Sequence, residues 1–241
     1  MAVNMMPAST YTSMVNAKQT TANPLAVAMV KSFSFLQQKL DRPGRTHVTL
    51  VNQAIGELRR SSNSALYLLD PFVGQLCQGV LWADLDWKNC NHYYHPKLEK
   101  GMWLFSNAAR ECSLYYTSAT KLWRAGYRSQ AMILLGASSH LVQDVCVPFH
   151  TIPHLILGHR VFEEYAEIHA ERFLSGDSLG GPDGVSSLED SVKDNALFSS
   201  AFLPSLLSEG VPAYDAVLLA IVPQALKSTI ALFTRFIADA S

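Results

Sequence analysis

Charge is what this chain has least of. Only 16% of its 241 residues are charged, and 19 lysines and arginines nearly cancel 20 aspartates and glutamates, for a formal charge of −1. A protein holding nucleic acid through its surface field would be basic, and a solvating disordered chain would be more acidic. Long apolar runs are also missing. The longest, Val217 to Leu226, is interrupted by Pro223 and Gln224 and is too short to span a bilayer. The first thirty residues are rich in hydroxyls and lack a continuous apolar segment. Ala26-Val27-Ala28 has the small-x-small pattern of a cleavage site, but the residues before it are mostly polar. No ordinary secretory signal is expected, and the compartment stays open. Cysteine is scarce: Cys77, Cys90, Cys112 and Cys146 make no C-x-x-C pair. A chain of this length needs no disulfide frame, so buried reduced thiols are expected.

Apolar residues are plentiful at 49%, enough for a sizeable core. Few stretches alternate in the strand manner, so the expected class is all-α. Residues 1 to about 23 read as a flexible lead. Helices are expected over about 24–40, 47–60, 64–82, 97–124, 127–146, 159–174, 186–208 and 213–238. Breaks fall at Arg42-Pro43-Gly44, Asp70-Pro71, Pro148 to Gly158 and Ser175 to Gly184. There is no repeat, heptad array or linker, and one helical domain is the economical reading.

Three helices carry the informative residues. His47 falls on the apolar stripe of Leu50, Val51, Ala54, Ile55 and Leu58, with Thr46 as its expected N-cap. Farther on, Ile133, Ala137, His140, Leu141 and Asp144 share one face. A carboxylate on so apolar a face is costly unless something neutralises it, and a metal ion would. His140 and Asp144 stand four residues apart, about 5–6 Å between Cβ atoms on one helix face. His159 and Glu163 repeat that chelating geometry on the next helix, with His150 in the loop between. These candidate ligands mix imidazole and carboxylate as zinc hydrolase sites do. Either pair alone would ordinarily be a surface pair; two pairs flanking a third histidine point to a metal. Upstream, Trp82-Ala-Asp84 and Asn91-His92-Tyr-Tyr-His95-Pro add carboxylates and histidines, with Asp84 or Asp86 and His92 or His95 as the alternatives.

In order and spacing these residues resemble the zinc-dependent phospholipase C family. The resemblance runs through Thr46-His47-Val-Thr-Leu-Val-Asn-Gln-Ala-Ile, Asp84 and His92-Tyr-Tyr-His-Pro. It continues in Ser139-His140-Leu-Val-Gln-Asp144-Val-Cys-Val-Pro148-Phe-His150 and Gly158-His159-Arg-Val-Phe-Glu163. It covers about residues 32–241, leaving 1–31 as a lead that processing would remove. It implies a compact multi-helix bundle of the phospholipase C and zinc nuclease kind, holding two or three Zn²⁺ ions. By this resemblance His150, His159 and Glu163 hold one zinc, and Asp84, His92, His140 and Asp144 a second. His47 and a bridging Asp144 hold part of a third, and Asp84 is the candidate general base.

The implied activity is hydrolysis of a glycerophospholipid to diacylglycerol and a phosphorylated headgroup, at a membrane surface and without a transmembrane segment. Single-strand-specific zinc nucleases share the fold and cluster and form the alternative, as does a non-catalytic zinc-binding relative. Two departures stand out. Family members complete the third site with an N-terminal tryptophan, whereas no tryptophan precedes Trp82 here, and the family's spacing counts back from His47 to near Ser34. Choline-binding members place a tyrosine after the aspartate, and this chain has Leu85.

Overall fold

The structure, a computed structural model, describes residues 44–61, 64–102, 105–152, 158–174 and 187–240. The lead and the helix expected over 24–40 lie outside these residues. Among the described residues the architecture is all-α, with one isolated antiparallel bridge between His95 and Lys100. In chain order the helices are α1 (Arg45–Arg60), α2 (Val73–Ala83), α3 (Ala108–Arg124), α4 (Arg128–Asp144), α5 (His159–His169), α6 (Leu188–Ser200), α7 (Leu203–Glu209) and α8 (Tyr214–Ala240). Short 3-10 turns connect several of them.

Four expectations need correction. The helix expected over 97–124 begins only at Ala108, where the Asn107 side chain accepts from Arg110 N, as an N-cap does. The segment before it turns back on itself through Glu99 at φ 53. Of the helix expected over 64–82, only the part from Val73 is α-helical; two 3-10 turns, Ser64–Leu68 and Asp70–Phe72, replace its first half, and Pro71, with no N–H to donate, sits in the second. The one expected over 186–208 divides into α6 and α7, with Pro204 in the first turn of the second. Finally, Thr46 is not the cap of α1. Its hydroxyl is buried without a hydrogen bond, and the cap position is Gly44.

Helix α4 is the centre of the fold. From Leu134 to Asp144 every residue is buried, so this stretch has no solvent face. It packs most heavily on α2 and α3. Contact with α2 is backbone to backbone. A Cβ on Gly79 would sit 2.0 Å from Ile133 O, and one on Gly136 would sit 2.2 Å from Leu76 O. Both glycines are therefore required by the close approach. That crossing carries Asp84, just past α2, to the level of His140 and Asp144 on α4.

Helix α8 lies along this core, burying Val217, Leu218, Ile221, Leu232, Phe233 and Phe236, with Pro223 inside it. The stretch Val211–Ala240 is long and apolar enough to cross a membrane by length and composition alone, a test that the core helix of a bundle also passes. Half of the segment that meets this test is buried in the bundle, as in a core helix. Among the described residues all four cysteines are free, Cys112 and Cys146 buried and Cys77 and Cys90 half-buried.

Candidate metal centre

Helix α4 supplies His140 and Asp144 one turn apart, and the chain then leaves it for the turn Pro148–Thr151 that carries His150. The loop after α2 carries Asp84 and His92. Tyr94 N donates to His150 O at 2.9 Å, which ties the upstream motif to the downstream one. Gly158, at φ 85, reverses the chain and starts α5, which presents His159 and Glu163 one turn apart.

The structure gathers Asp84, His92, His140 and Asp144 into one group that could hold a metal ion, and His150, His159 and Glu163 into another. In the first, His92 Nδ1 and His140 Nε2 are 3.2 Å apart. They lie 2.7 and 3.0 Å from Asp144 Oδ2, and 3.6 and 3.3 Å from Asp84 Oδ1. Four ligands at zinc bond lengths in a tetrahedron stand about 3.3–3.6 Å from one another. Asp144 Oδ2 is wholly buried and accepts no well-directed hydrogen bond, although two imidazole nitrogens lie within 3.0 Å of it. The ligand atoms all lie within 4.8 Å of one another around this orphaned oxygen, so this set fits a zinc ion.

The second group is tighter and more open. His159 Nε2 lies 2.9 Å from His150 Nε2, and both approach Glu163 Oε1, at 2.7 and 3.2 Å. Three ligands leave a tetrahedral ion one free position. The Glu163 side chain is 47% exposed, so solvent reaches that side. The Tyr93 ring stacks on His150 with centroids 5.0 Å apart, and its hydroxyl lies 3.5 Å from His159 Nδ1.

His47 joins from α1. Its ring lies 4.0 Å from that of His140, and its Nε2 is 3.3 Å from Asp144 Oδ1. Asp144 thus faces His47 through one oxygen and the four-residue group through the other. Asp144 Oδ2 is also 3.8 Å from His150 Nδ1, so the two groups are immediate neighbours.

Electrostatics reinforce this arrangement. Burial alone would raise the Asp144 carboxyl, but the imidazoles of His140, His150 and His92 outweigh it and hold the group well below the usual carboxylate range. Glu163 is likewise held low by His150 and His159 against its burial. Burial would lower His140, yet Asp144 and Asp84 raise it well above an ordinary histidine. His47 goes the other way, lowered by burial and by the neighbouring His140.

Every candidate ligand expected from the sequence therefore reaches the centre: His47, Asp84, His92, His140, Asp144, His150, His159 and Glu163. Of the two upstream histidines, the structure brings His92 to the centre. His95 Nδ1 instead accepts from Lys97 N and Leu98 N, both at 3.3 Å, and caps its own turn. The Asp86 side chain lies outside the described residues. Sequence reasoning missed two supporting residues. Gln143 meets His47 Nδ1 through its Oε1 at 2.8 Å. Glu167, one turn beyond Glu163, accepts from Arg45 N and Thr46 N at 3.0 and 3.2 Å and so caps α1 from another helix. Its place directly beside the candidate ligand Asp144 was the available signal for Gln143.

Among the solved structures that share the fold are two alpha-toxins. The alpha toxin from Clostridium absonum superposes with a TM-score of 0.73 at 19% identity, covering 83% of this chain and 65% of that one. The alpha-toxin of Clostridium perfringens, avian strain SWCP, gives 0.70 at 19% identity with the same coverage. The chain thus spans just under two thirds of the length of these structures. No curated protein matches it. The profile of the family described as zinc dependent phospholipase C matches residues 46–204, a span running from the start of α1 into α7 and containing every residue of the metal centre. The chain belongs to the zinc dependent phospholipase C family.

Proposed function

We propose that this protein is a zinc-dependent phosphodiester hydrolase of the phospholipase C type, cleaving a glycerophospholipid to diacylglycerol and a phosphorylated headgroup. The carrying observation is the pairing of a buried four-ligand group with an adjacent, solvent-reached three-ligand group. Bound zinc ions would supply a Lewis acid for the phosphoryl oxygens and lower the pKa of an attacking water. His150, His159 and Glu163 would hold the ion that keeps an open position. Asp84, His92, His140 and Asp144 would hold a second, and His47 with Asp144 part of a third.

Asp84 is assigned as general base. Its side chain is 36% exposed, the most open of its group, so water can reach it. Burial raises its pKa, but His140 and His92 more than offset this and leave it charged at neutral pH. The base takes a proton from water as oxygen attacks phosphorus, and the bond from phosphorus to the glycerol oxygen breaks. The departing alkoxide takes up a proton and leaves as diacylglycerol. For the third ion, cleavage of the lead near Ser34 would bring a free amine and carbonyl toward His47, making 32–241 the catalytic domain. A trimmed form beginning near Ser34 should bind one more zinc than the full chain.

Two features beside Asp84 support a headgroup other than a quaternary ammonium. Leu85, largely exposed, follows the carboxylate directly. The Trp82 ring already carries a cation, Lys88 Nζ, 4.4 Å from its centroid. The deciding assay offers the zinc-loaded protein vesicles of phosphatidylcholine, phosphatidylethanolamine and phosphatidylinositol, and single-stranded DNA, under one set of conditions. The expected result is release of phosphorylated headgroup, slowest from phosphatidylcholine. Faster turnover of DNA than of any lipid would assign the nuclease activity instead.

A further inference from the structure

The centre contains a chain of hydrogen bonds whose donors and acceptors can be assigned one after another, starting from the backbone of α8. Thr229 Oγ1 lies 2.8 Å from Ala225 O and donates to it, because a carbonyl can only accept. The hydroxyl has one proton, which is then spent, so Thr229 faces its next neighbour as an acceptor. That neighbour is the Gln143 side chain, whose Nε2 donates to Thr229 Oγ1 at 3.0 Å. With its nitrogen committed to Thr229, the amide must turn its oxygen the other way. Gln143 Oε1 faces His47 Nδ1 at 2.8 Å. An amide oxygen cannot donate, so Nδ1 carries the proton.

Thr229 and Gln143 are both buried, Thr229 completely, so water does not offer substitute partners. Flipping the amide would set its oxygen against a hydroxyl whose proton is already given to Ala225 O, two acceptors facing each other. The arrangement therefore has one low-energy sense.

We infer that Thr229 and Gln143 are positioning residues that fix His47 as its Nδ1–H tautomer, so that its Nε2 lone pair faces Asp144 and serves a metal ion there. In this tautomer Nε2 and Asp144 Oδ1 are two acceptors 3.3 Å apart, which a cation between or beside them would satisfy. Ligating histidines are commonly held through the other ring nitrogen by a carboxylate, a carbonyl or water. Here a side-chain amide does this, held in turn by a hydroxyl on another helix. The last step rests on the zinc reading proposed above, and the tautomer does not.

The test uses ¹⁵N-labelled protein, full-length for the tautomer and trimmed near Ser34 for titration of the His47 zinc, with and without zinc, and long-range ¹H–¹⁵N correlations of His47 identified from a His47→Ala spectrum. In the wild type Nδ1 should be protonated in both states. Thr229→Val keeps the shape but removes both hydroxyl roles, and Gln143→Leu removes the acceptor. Either should mix the tautomers and weaken the His47-dependent zinc by about 10- to 100-fold in competition titrations. Thr229→Ser should restore wild-type behaviour. Combining Gln143→Leu with His47→Ala should be no worse for zinc than His47→Ala alone. Zinc at His150, His159 and Glu163 should keep its affinity in Thr229→Val, which separates positioning from general loosening of the bundle. An unprotonated Nδ1 in the wild type, or Thr229→Val equal to wild type in tautomer and titration, would overturn the inference. A wild type with Nδ1 protonated that binds no zinc would sink the metal reading and leave the tautomer relay standing.

Discussion

The two ligand groups sit side by side yet differ in almost every physical respect. Asp84, His92, His140 and Asp144 are drawn from the centre of the bundle, and all but Asp84 are nearly inaccessible, at 2%, 1% and 5% side-chain exposure. His150, His159 and Glu163 lie on a turn and on a peripheral helix, at 6%, 16% and 47%. One group offers four ligands; the other offers three and faces solvent. Bundle packing sets the geometry of the first group and local helix geometry sets that of the second. Stability and metal retention should therefore depend on the buried group, and turnover on the exposed one.

Asp144→Ala should break this comparison most completely, because Asp144 faces His47, the buried group and His150 at once. Removing one partner from a buried charged network costs about 3–5 kcal/mol. Metal analysis should show zinc lost from the buried group and the His47 position, and activity should fall by more than the roughly 100-fold typical of outer-shell changes. His140→Ala should follow the same pattern. His169→Ala is the control, since His169 lies on the exposed side of α5 against Arg172 and Tyr165. Unchanged zinc content in both ligand variants would remove the assignment of this cluster.

Gly136→Ala tests the buried group through packing alone. The added methyl meets Leu76 O and forces α2 away from α4, at a cost of about 1–3 kcal/mol. Thermal melting should show the loss, and zinc affinity should fall at the buried group, whose Asp84 moves with α2. Affinity at the exposed group should hold.

How much of this was legible in the sequence follows from the same contrast. The i, i+4 pairs His140/Asp144 and His159/Glu163 are local consequences of helix geometry, and spacing alone exposed them. The place of His92 over His95 was not decided by spacing. It depends on the turn closed by the bridge between His95 and Lys100, part of which spacing read as the start of a helix. Glu167 and Thr229 carried no signal either, because each acts on a helix more than eighty residues away in the chain. Their roles exist only once α1, α4, α5 and α8 have packed.

Glu163→Ala should sharpen the comparison from the other side. The residue is about half exposed, so the change should alter the stability of the metal-free protein by no more than about 1 kcal/mol. Activity should nevertheless be lost with one zinc per chain. A melting temperature depressed as far as in Asp144→Ala would erase the proposed division of labour.

Proton release is the next effect in size. In the metal-free protein His140 is raised above an ordinary histidine, so its protonated form stabilises the fold. That contribution is complete below the unfolded histidine's pKa and lost as pH rises through the raised value. Zinc needs the neutral ring, so loading must expel the proton, and affinity should fall as pH is lowered. Calorimetric titration in buffers of different ionisation enthalpy should show net proton release near pH 7. His140→Ala should reduce it.

Tyr93→Phe is the smallest and most selective change. The hydroxyl sits 3.5 Å from His159 Nδ1, a weak contact at the edge of hydrogen-bond range, while the ring stacks on His150. Burial, together with the charges on Glu163 and Asp144, pushes the phenol's pKa upward, so it stays a neutral hydroxyl at working pH. Its oxygen can accept from the Nδ1–H of His159, which leaves Nε2 free toward Glu163 and the open position. Removing the oxygen alone keeps the stack and the fold, so melting should not move. Zinc at the exposed group should weaken by about 10-fold, the lower end of what outer-shell partners contribute. The buried group should be untouched. Loss of zinc from both groups in Tyr93→Phe would mean that the two share one cooperative site rather than dividing the work between them.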